Sequence, residues 1–321
     1  MGVVALGSLL ISTVSAADKV SIRVDWFHSS YHSPFFVGIE QGFYQKEGIE
    51  LTVTEARGSG QVTQLVGNGD DEFGFAAADS VIRAVLKGIP LINVASIMPK
   101  GSQAVFVLKS SGITELADLA GKKMATTPGG SNDALLPIML ADIGMKESDL
   151  VMVAVSGATK VRMFLQGDVD AMMSPAWSDG YFTSAGGSNK FLYKDHGVTV
   201  VGHGIVTNSE LAEENPELVR RFIRATLKSW EFAKNNPQES LDALSRGSPN
   251  NAKPNVKARN IINFAVALEF VGPAVAGKPF GLQNLGNWEK MQRHLLDSGN
   301  ISETKPVAAY FTNKYVSAVI N

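Results

Sequence analysis

One stretch restricts the fold more than any other: Val20 to Val24 alternates apolar and polar residues, and Phe35 to Glu47 repeats apolar residues at helical spacing. Period two followed by period 3.6 reads as strand, loop, helix. The loop between them carries Trp26, Phe27, His28, Tyr31, His32 and Phe35. Connectors are ordinarily built from Gly, Asn, Asp and Ser, which supply turn geometry. In open α/β sheets ligands collect beyond the carboxyl ends of strands, so a ring-rich loop there suits a pocket wall. Large aromatics also plug core edges, and on the loop alone both uses stand open.

The same alternation continues. Strand patterns at Ile49–Glu55, Phe73–Ala78, Leu91–Ile97, Ala104–Leu108, Lys123–Thr126, Leu150–Val155 and Ala171–Ser174 are separated by helical ones. A long strand interrupted by glycines is expected over Val198–Val206. After Asn215-Pro216 the pattern turns helical, with Pro at the first helical position, where its missing N–H costs nothing. Mixed α/β followed by a helical tail predicts mostly parallel sheets covered by helices. At 321 residues the chain is long for one core, so two domains or one large one are expected. A turn repeats: Gly67 to Phe73 and Gly167 to Ala171 each join a helix end, an acidic turn and a buried strand, which supports two similar lobes.

Val3 to Val14 is apolar, and Val14-Ser15-Ala16 offers a small-x-small cleavage site, as in a secretory signal peptide over residues 1–16. No Lys or Arg precedes it, and the stretch is too short to span a bilayer. The chain has no Cys, so a thiol-linked lipid anchor near residue 17 is not expected, and a core of this size needs no disulfides. A net charge of -2 gives nucleic acid no footprint to bind.

Three stretches offer backbone amides at helix starts: Ser59, Gly60 and Gln61; Gly130, Ser131 and Asn132; and Gly157. Free N–H groups and the helix dipole there favour carboxylates, sulfonates or polarised ring oxygens, although Ser59, Ser131 and Asn132 are also ordinary caps. His28 and His32 have a four-residue spacing used by metal sites, but no acid or thiol cluster accompanies them in sequence, so no metal is expected. Nucleophile elbows, zinc-protease motifs, phosphate loops and dinucleotide fingerprints are missing from the sequence.

Asp25-Trp26-Phe27, His32-Ser33-Pro34-Phe35-Phe36-Val37-Gly38 and Glu40-Gln41-Gly42-Phe43-Tyr44-Gln45-Lys46-Glu47-Gly48-Ile49 resemble the first motif of the extracytoplasmic solute-binding proteins of the nitrate/sulfonate/taurine and thiamine-pyrimidine-precursor group. Gly67 to Asp71, Leu116 to Lys123, Gly167 to Ala171 and Asn215 to Val219 extend the resemblance over nearly the whole chain. It implies an α/β type II periplasmic binding protein with two lobes, 18–101 plus 204–321 and 102–203. The hinge crossovers would run near Met98 to Ala104 and Val200 to Gly204, with a helical C-terminal tail. It further implies a pocket lined by Trp26, His28, Tyr31, His32, Ser59, Gly60, Gln61, Asp79 and Ser80 from one lobe. Gly130, Ser131, Asn132, Gly157 and Trp177 would come from the other, with His203 near the hinge. The implied protein is a non-catalytic, cofactor-free periplasmic monomer that closes on a small solute and hands it to an ABC transporter permease. The Trp-first loop is most similar to the pyrimidine-precursor subgroup, but His28, Ser29 and Ser30 depart from its Asn/Pro-rich loop. A small sulfonate or carboxylate is the alternative solute. Eukaryotic pyrimidine synthases resembling this group use pyridoxal phosphate and a Cys-rich motif, and this chain has neither a Cys nor a Lys in the aromatic loop.

Overall fold

Val20, Ile22 and Val24 are buried while Lys19, Ser21 and Arg23 face outward, and that alternation forms β1 (Asp18–Val24). This is a computed structural model describing residues 16–127, 131–155, 157–198 and 201–320. The apolar opening stretch Val3 to Val14, Gly130 and Val200 lie outside the described residues. From β1 the chain runs through α1 (Ser33–Glu40), α2 (Phe43–Lys46), β2 (Ile49–Glu55), α3 (Ser59–Gly67), β3 (Phe73–Ala77), α4 (Ala78–Leu86) and β4 (Leu91–Ser96). It then enters β5 (Gln103–Leu108), β6 (Lys123–Thr126), α5 (Ser131–Ala141), β7 (Val151–Ala154), α6 (Gly157–Gln166), β8 (Ala171–Pro175) and β9 (Ser188–Leu192). It returns as β10 (His203–Asn208) and closes with α7 (Ser209–Glu214), α8 (Pro216–Asn235), α9 (Pro237–Gly247), α10 (Pro254–Leu268), α11 (Leu285–Asp297) and α12 (Lys314–Ile320).

Two five-stranded sheets result, ordered β2-β1-β3-β10-β4 and β7-β6-β8-β5-β9. In the first, β1 pairs parallel with β2 and β3, and the returning β10 inserts antiparallel between β3 and β4. In the second, β6 pairs parallel with β7 and β8, and β5 lies antiparallel between β8 and β9. The sheets are therefore mixed, each with a parallel βα portion and an antiparallel strand inserted beside it; in the first that strand, β10, returns after the whole of the second sheet, which is made of the consecutive strands β5 to β9.

The repeated acidic turns have the same job in both sheets. Glu72, just before β3, accepts the Ser21 N–H at 2.7 Å and the Ser21 hydroxyl at 2.9 Å. Asp170, just before β8, accepts the Lys123 N–H at 2.8 Å. Each carboxylate supplies an acceptor to the neighbouring parallel strand before regular pairing begins.

The chain passes between the sheets twice, over residues 97–102 and again after β9, and Gly202 on the second passage lies against Met98 and Lys100 on the first. The N–H groups of Ile97 and Met98 donate to the His203 carbonyl at 3.1 and 2.8 Å, and Ala78 N–H donates to the Gly202 carbonyl at 3.1 Å. A Cβ on Gly202 would stand 2.4 Å from the Met98 oxygen and 2.5 Å from the Lys100 oxygen, so no other residue fits there.

The tail is amphipathic and covers the first sheet. Asn215 caps α8 by accepting the Leu218 N–H at 3.1 Å, and Pro216 starts it. Its apolar face includes Phe222, stacked on Phe73 at 3.7 Å, and Trp230, set between Phe35 and Phe75. Emptying a fully buried Trp site of this kind costs about 3–5 kcal/mol. The tail also reaches the second sheet: α10 packs on the 3-10 turn Ala176–Tyr181 beyond β8, and α11 lies between α4 and α5.

One local expectation is corrected, and two elements appear that the pattern did not announce. Of the strand expected over Val198–Val206, where Val200 lies outside the described residues, pairing with β3 and β4 among the described residues covers His203–Asn208. Ser188–Leu192, too polar to read as a strand, becomes one by pairing with β5. Leu116–Leu119 is a 3-10 turn in which Asp118 supplies the capping acceptor, taking the Thr114 and Glu115 N–H groups at 2.9 and 3.1 Å.

Candidate functional site

The ring-rich loop leaves β1 at its carboxyl end, and Asp25, the first residue beyond the strand, is its hub. The Tyr31 hydroxyl donates to Asp25 Oδ1 at 3.1 Å, and His32 Nε2 lies 3.1 Å from the same oxygen. His203 Nε2, at the start of β10, stands 2.9 Å from Oδ2, and the Ser59 hydroxyl reaches it at 3.5 Å. Ser59 Oγ in turn accepts the Ala77 N–H at 3.0 Å, so one carboxylate ties together the ends of β1, β3 and β10 and the start of α3.

Burial raises the Asp25 pKa, but His203 and then His32 outweigh it, and the carboxyl titrates far below the usual range. His32 is fully buried; burial lowers its pKa, partly offset by Asp25, which favours a neutral ring donating from Nε2. Burial first, and Asp25 second, push the Tyr31 hydroxyl up, so it stays a donor.

The opposite bank presents Trp177, in the turn after β8. Its ring lies 4.9 Å from Tyr31, 6.1 Å from His203 and 5.8 Å from Phe270 of the tail, and it is 3% exposed. The two banks are therefore in ring contact. Trp26 is half-buried and packs edge-on with Phe27 at 5.7 Å, while Phe27 is 54% exposed. The two tryptophans thus have separate ring neighbours.

Other residues picked from the sequence have individual surroundings. His28 pairs with Glu55, Nδ1 to Oε1 at 3.4 Å, and its backbone N–H donates to the same oxygen at 2.7 Å. Burial lowers the His28 pKa, with Glu55 opposing and His32 assisting. His28 and His32 therefore face different carboxylates. Gly60 and Gln61 are exposed in the first turn of α3, where Gln61 Oε1 accepts the Arg57 N–H at 2.9 Å. Asp79 is buried in an ion pair with Arg83 at 2.6 Å, and Arg83 also donates to the Ser80 hydroxyl at 3.1 Å. Ser131 and Gly157 are the first residues of α5 and α6. The Asn132 carbonyl accepts from the Tyr193 hydroxyl at 3.1 Å. Among the described residues no group of three or more His, Cys, Asp or Glu is arranged to hold a metal.

Polar atoms without hydrogen-bond partners mark the strand ends: His203 Nδ1 and His28 Nε2 on one bank, Thr126 Oγ1 and Asn132 Oδ1 on the other. Buried polar atoms are ordinarily paired, and both banks carry exceptions.

Sequence reasoning missed Asp25 and the tail. A lone acid between the apolar Val24 and Trp26 was the available signal for the first. The tail gave none: Asn260 Nδ2 donates to Asn251 Oδ1 and Asn251 Nδ2 to the His28 carbonyl, each at 2.8 Å. On the other side, Gly180 N–H donates to Asn263 Oδ1 at 2.7 Å, and the Arg259 guanidinium lies 4.2 Å from the Tyr181 ring. One helix, α10, thereby fastens to both banks.

The fold is shared with solved solute-binding proteins. The periplasmic aliphatic sulphonate binding protein SsuA of Escherichia coli superposes with a TM-score of 0.70 at 19% identity, covering 91% of each chain. Among sequence relatives, a putative thiamine biosynthesis protein of Haemophilus influenzae is 26% identical over 76% of this chain and 78% of its own. The formylaminopyrimidine-binding protein of Halalkalibacterium halodurans is 24% identical over 91% and 89%. A 4-amino-5-hydroxymethyl-2-methylpyrimidine phosphate synthase of Saccharomyces cerevisiae is 26% identical over 69% of each. The NMT1/THI5-like family profile matches residues 29–240, and with two mixed sheets in the periplasmic binding protein fold the chain belongs to the NMT1/THI5-like family.

Proposed function

We propose that this chain is an extracytoplasmic solute-binding protein that captures a small heteroaromatic molecule of the thiamine-pyrimidine-precursor type and delivers it to an ABC importer as a monomer. The observation that carries this reading is the meeting of rings from opposite sheets, Tyr31 against Trp177 at 4.9 Å, flanked by buried polar atoms that lack partners. Rings bind a flat guest by stacking and dispersion, and a few convergent polar atoms fix its orientation. The proposed lobes are 18–101 with 204–321 and 102–203, rotating about the paired passages near Met98 and Gly202. A guest that touches both banks stabilises the closed arrangement through contacts absent from the open one.

The name of the Halalkalibacterium relative supports a pyrimidine and that of the Haemophilus relative a link to thiamine biosynthesis; the sulphonate-binding neighbour supports only the fold. The relatives named as synthases keep catalysis in view, and the composition opposes it: no Cys occurs in the chain, and no Lys in Trp26–Phe35. Among the described residues no helix is long and apolar enough to cross a membrane.

Thermal-shift and titration calorimetry with aminopyrimidines, alkanesulfonates and aromatic carboxylates test the reading. An aminopyrimidine is expected to bind, and Trp26→Ala to weaken it at least tenfold while leaving the melting temperature nearly unchanged. Unaltered affinity in that variant removes Trp26 from the pocket. Binding of an alkanesulfonate alone replaces the solute class. A Schiff-base absorbance on adding pyridoxal phosphate would favour the synthase reading.

A further inference from the structure

Lys160 sits in the first turn of α6, the end of a helix where a cation is electrostatically disfavoured. Its side chain is 8% exposed, and its ammonium crosses the carboxyl edge of the second sheet to donate to the Met173 carbonyl at 2.6 Å. Burial lowers its pKa to about 8, and Asp133, in the first turn of α5, partly offsets that. A buried ammonium thus stands between the starts of α5 and α6, the two helices that leave the edges of β6 and β7.

A second observation falls at the same place. The parallel register Ala125↔Met172 puts Thr126, the last residue of β6, beside Met173. Thr126 is 6% exposed, and its hydroxyl has no partner. Asn132 Oδ1, in the first turn of α5, is likewise buried and unpaired. A cation, an unpaired hydroxyl and two helix starts at one sheet edge form a composite positive site, the chemistry that holds an anion.

We propose that Lys160 is the charge-selecting residue of the binding crevice, so that the guest carries an anionic group, a phosphate, sulfonate or carboxylate, seated at the ends of β6 and β8. The inference rests on the solute-binding reading above and narrows its solute to a charged one. The charged and titratable groups nearby are few. Asp133 faces Lys160 from α5, and the Tyr193 hydroxyl is kept neutral by burial. Lys190 is paired with Asp179 at 2.6 Å, and Arg162 points to solvent from α6. Lys160 is therefore the buried cation of this edge, and its charge is lost as the pH rises through about 8.

The test is a ratio. Titration calorimetry compares 4-amino-5-hydroxymethyl-2-methylpyrimidine with its phosphate monoester, and benzyl alcohol with benzoate and benzenesulfonate, on the wild-type chain and on Lys160→Met and Asp133→Asn. The wild type is expected to favour at least one anion over its neutral counterpart by tenfold or more, with the ratio falling between pH 7 and 9.5. Lys160→Met should bring the ratio near one, and Asp133→Asn should raise it, because a competing negative charge is gone. Which anion responds distinguishes phosphate from sulfonate and carboxylate. Equal losses for neutral and anionic compounds in Lys160→Met mean a merely structural lysine and overturn the inference, as does a ratio that ignores both pH and Asp133→Asn. Those last two readouts remain should Lys160→Met fail to fold. Binding of neutral compounds without any anion preference sinks this inference alone; no binding of any ring compound sinks the solute-binding reading with it.

Discussion

The carboxyl ends of the two sheets are built from the same parts and arrive at opposite electrostatics. At the first, a buried acid, Asp25, gathers Tyr31, His32, Ser59 and His203, and both of its oxygens are occupied. At the second, a buried base, Lys160, has Met173 and Asp133 for company, and the neighbouring Thr126 hydroxyl and Asn132 oxygen are unpaired. Both edges keep unpaired buried atoms, His203 Nδ1 and His28 Nε2 at the first as well as Thr126 Oγ1 and Asn132 Oδ1 at the second, so what separates the two is the sign of the buried charge.

The comparison breaks most visibly at Asp25. Asp25→Ala removes the acceptor of four buried donors and should cost about 3–5 kcal/mol in urea denaturation, the range for breaking a buried ionic network. The pH dependence has a definite sign. Asp25 titrates lower in the folded chain than in the unfolded one, so its contribution is present above the unfolded carboxylate pKa and is lost as pH falls through the folded value. His32 is also lowered, by burial first, so the unfolded state takes up its proton earlier and stability already declines as pH drops below about 6.5. Acid unfolding is therefore expected in two stages, the first smaller in His32→Gln, where His28, also lowered by burial, is left to carry it. A stability that is flat from pH 7 to 4 would contradict the neutral, buried histidine.

Next in size is the contact that holds the edges together. A Cβ on Gly180 would meet the Arg259 carbonyl oxygen and Asn263 Oδ1 at 2.6 Å each, both on α10. Gly180→Ala must push the tail off the second bank, a strain of about 1–3 kcal/mol. Small-angle scattering should then show a larger radius of gyration, and guest affinity should fall because the closed arrangement is less populated. An unchanged radius would mean that α10 rides along without latching the two banks.

How far the sequence carried this picture depends on the range over which each feature is determined. The β1 alternation, the Asn215-Pro216 start of α8 and the two acidic turns are set by neighbours within a few residues, and they read correctly. β9 did not, because Ser188-Asn189-Lys190 has no apolar alternation and becomes a strand only beside β5. At the site, the rings of Trp26, Tyr31 and Trp177 were conspicuous as residue types. The Asp25 hub was not, since His203 is far away in sequence and only the insertion of β10 beside β3 brings it to the carboxylate. Lys160 carries only a mild signal in the sequence, a cation in a first helical turn, because its burial depends on β8 and on the start of α5.

The smallest effect sharpens the comparison where the two sheets are most alike. Glu72 and Asp170 occupy equivalent turns, each accepting a backbone N–H from the parallel neighbour, but Glu72 takes a second bond from the Ser21 hydroxyl. Bonds to a charged acceptor contribute more than neutral ones, so Glu72→Ala should cost about 2 kcal/mol and Asp170→Ala about 1 kcal/mol. Both variants should keep guest affinity within twofold, because these turns stand at the amino ends of β3 and β8, away from the crevice. Denaturant midpoints decide the order. A larger loss for Asp170→Ala would mean that the shorter β6–β8 pairing, with two registered residue pairs, depends on its turn more than the β1–β3 pairing, with three. The two sheets would then differ in how they are held together as well as in the charge they present.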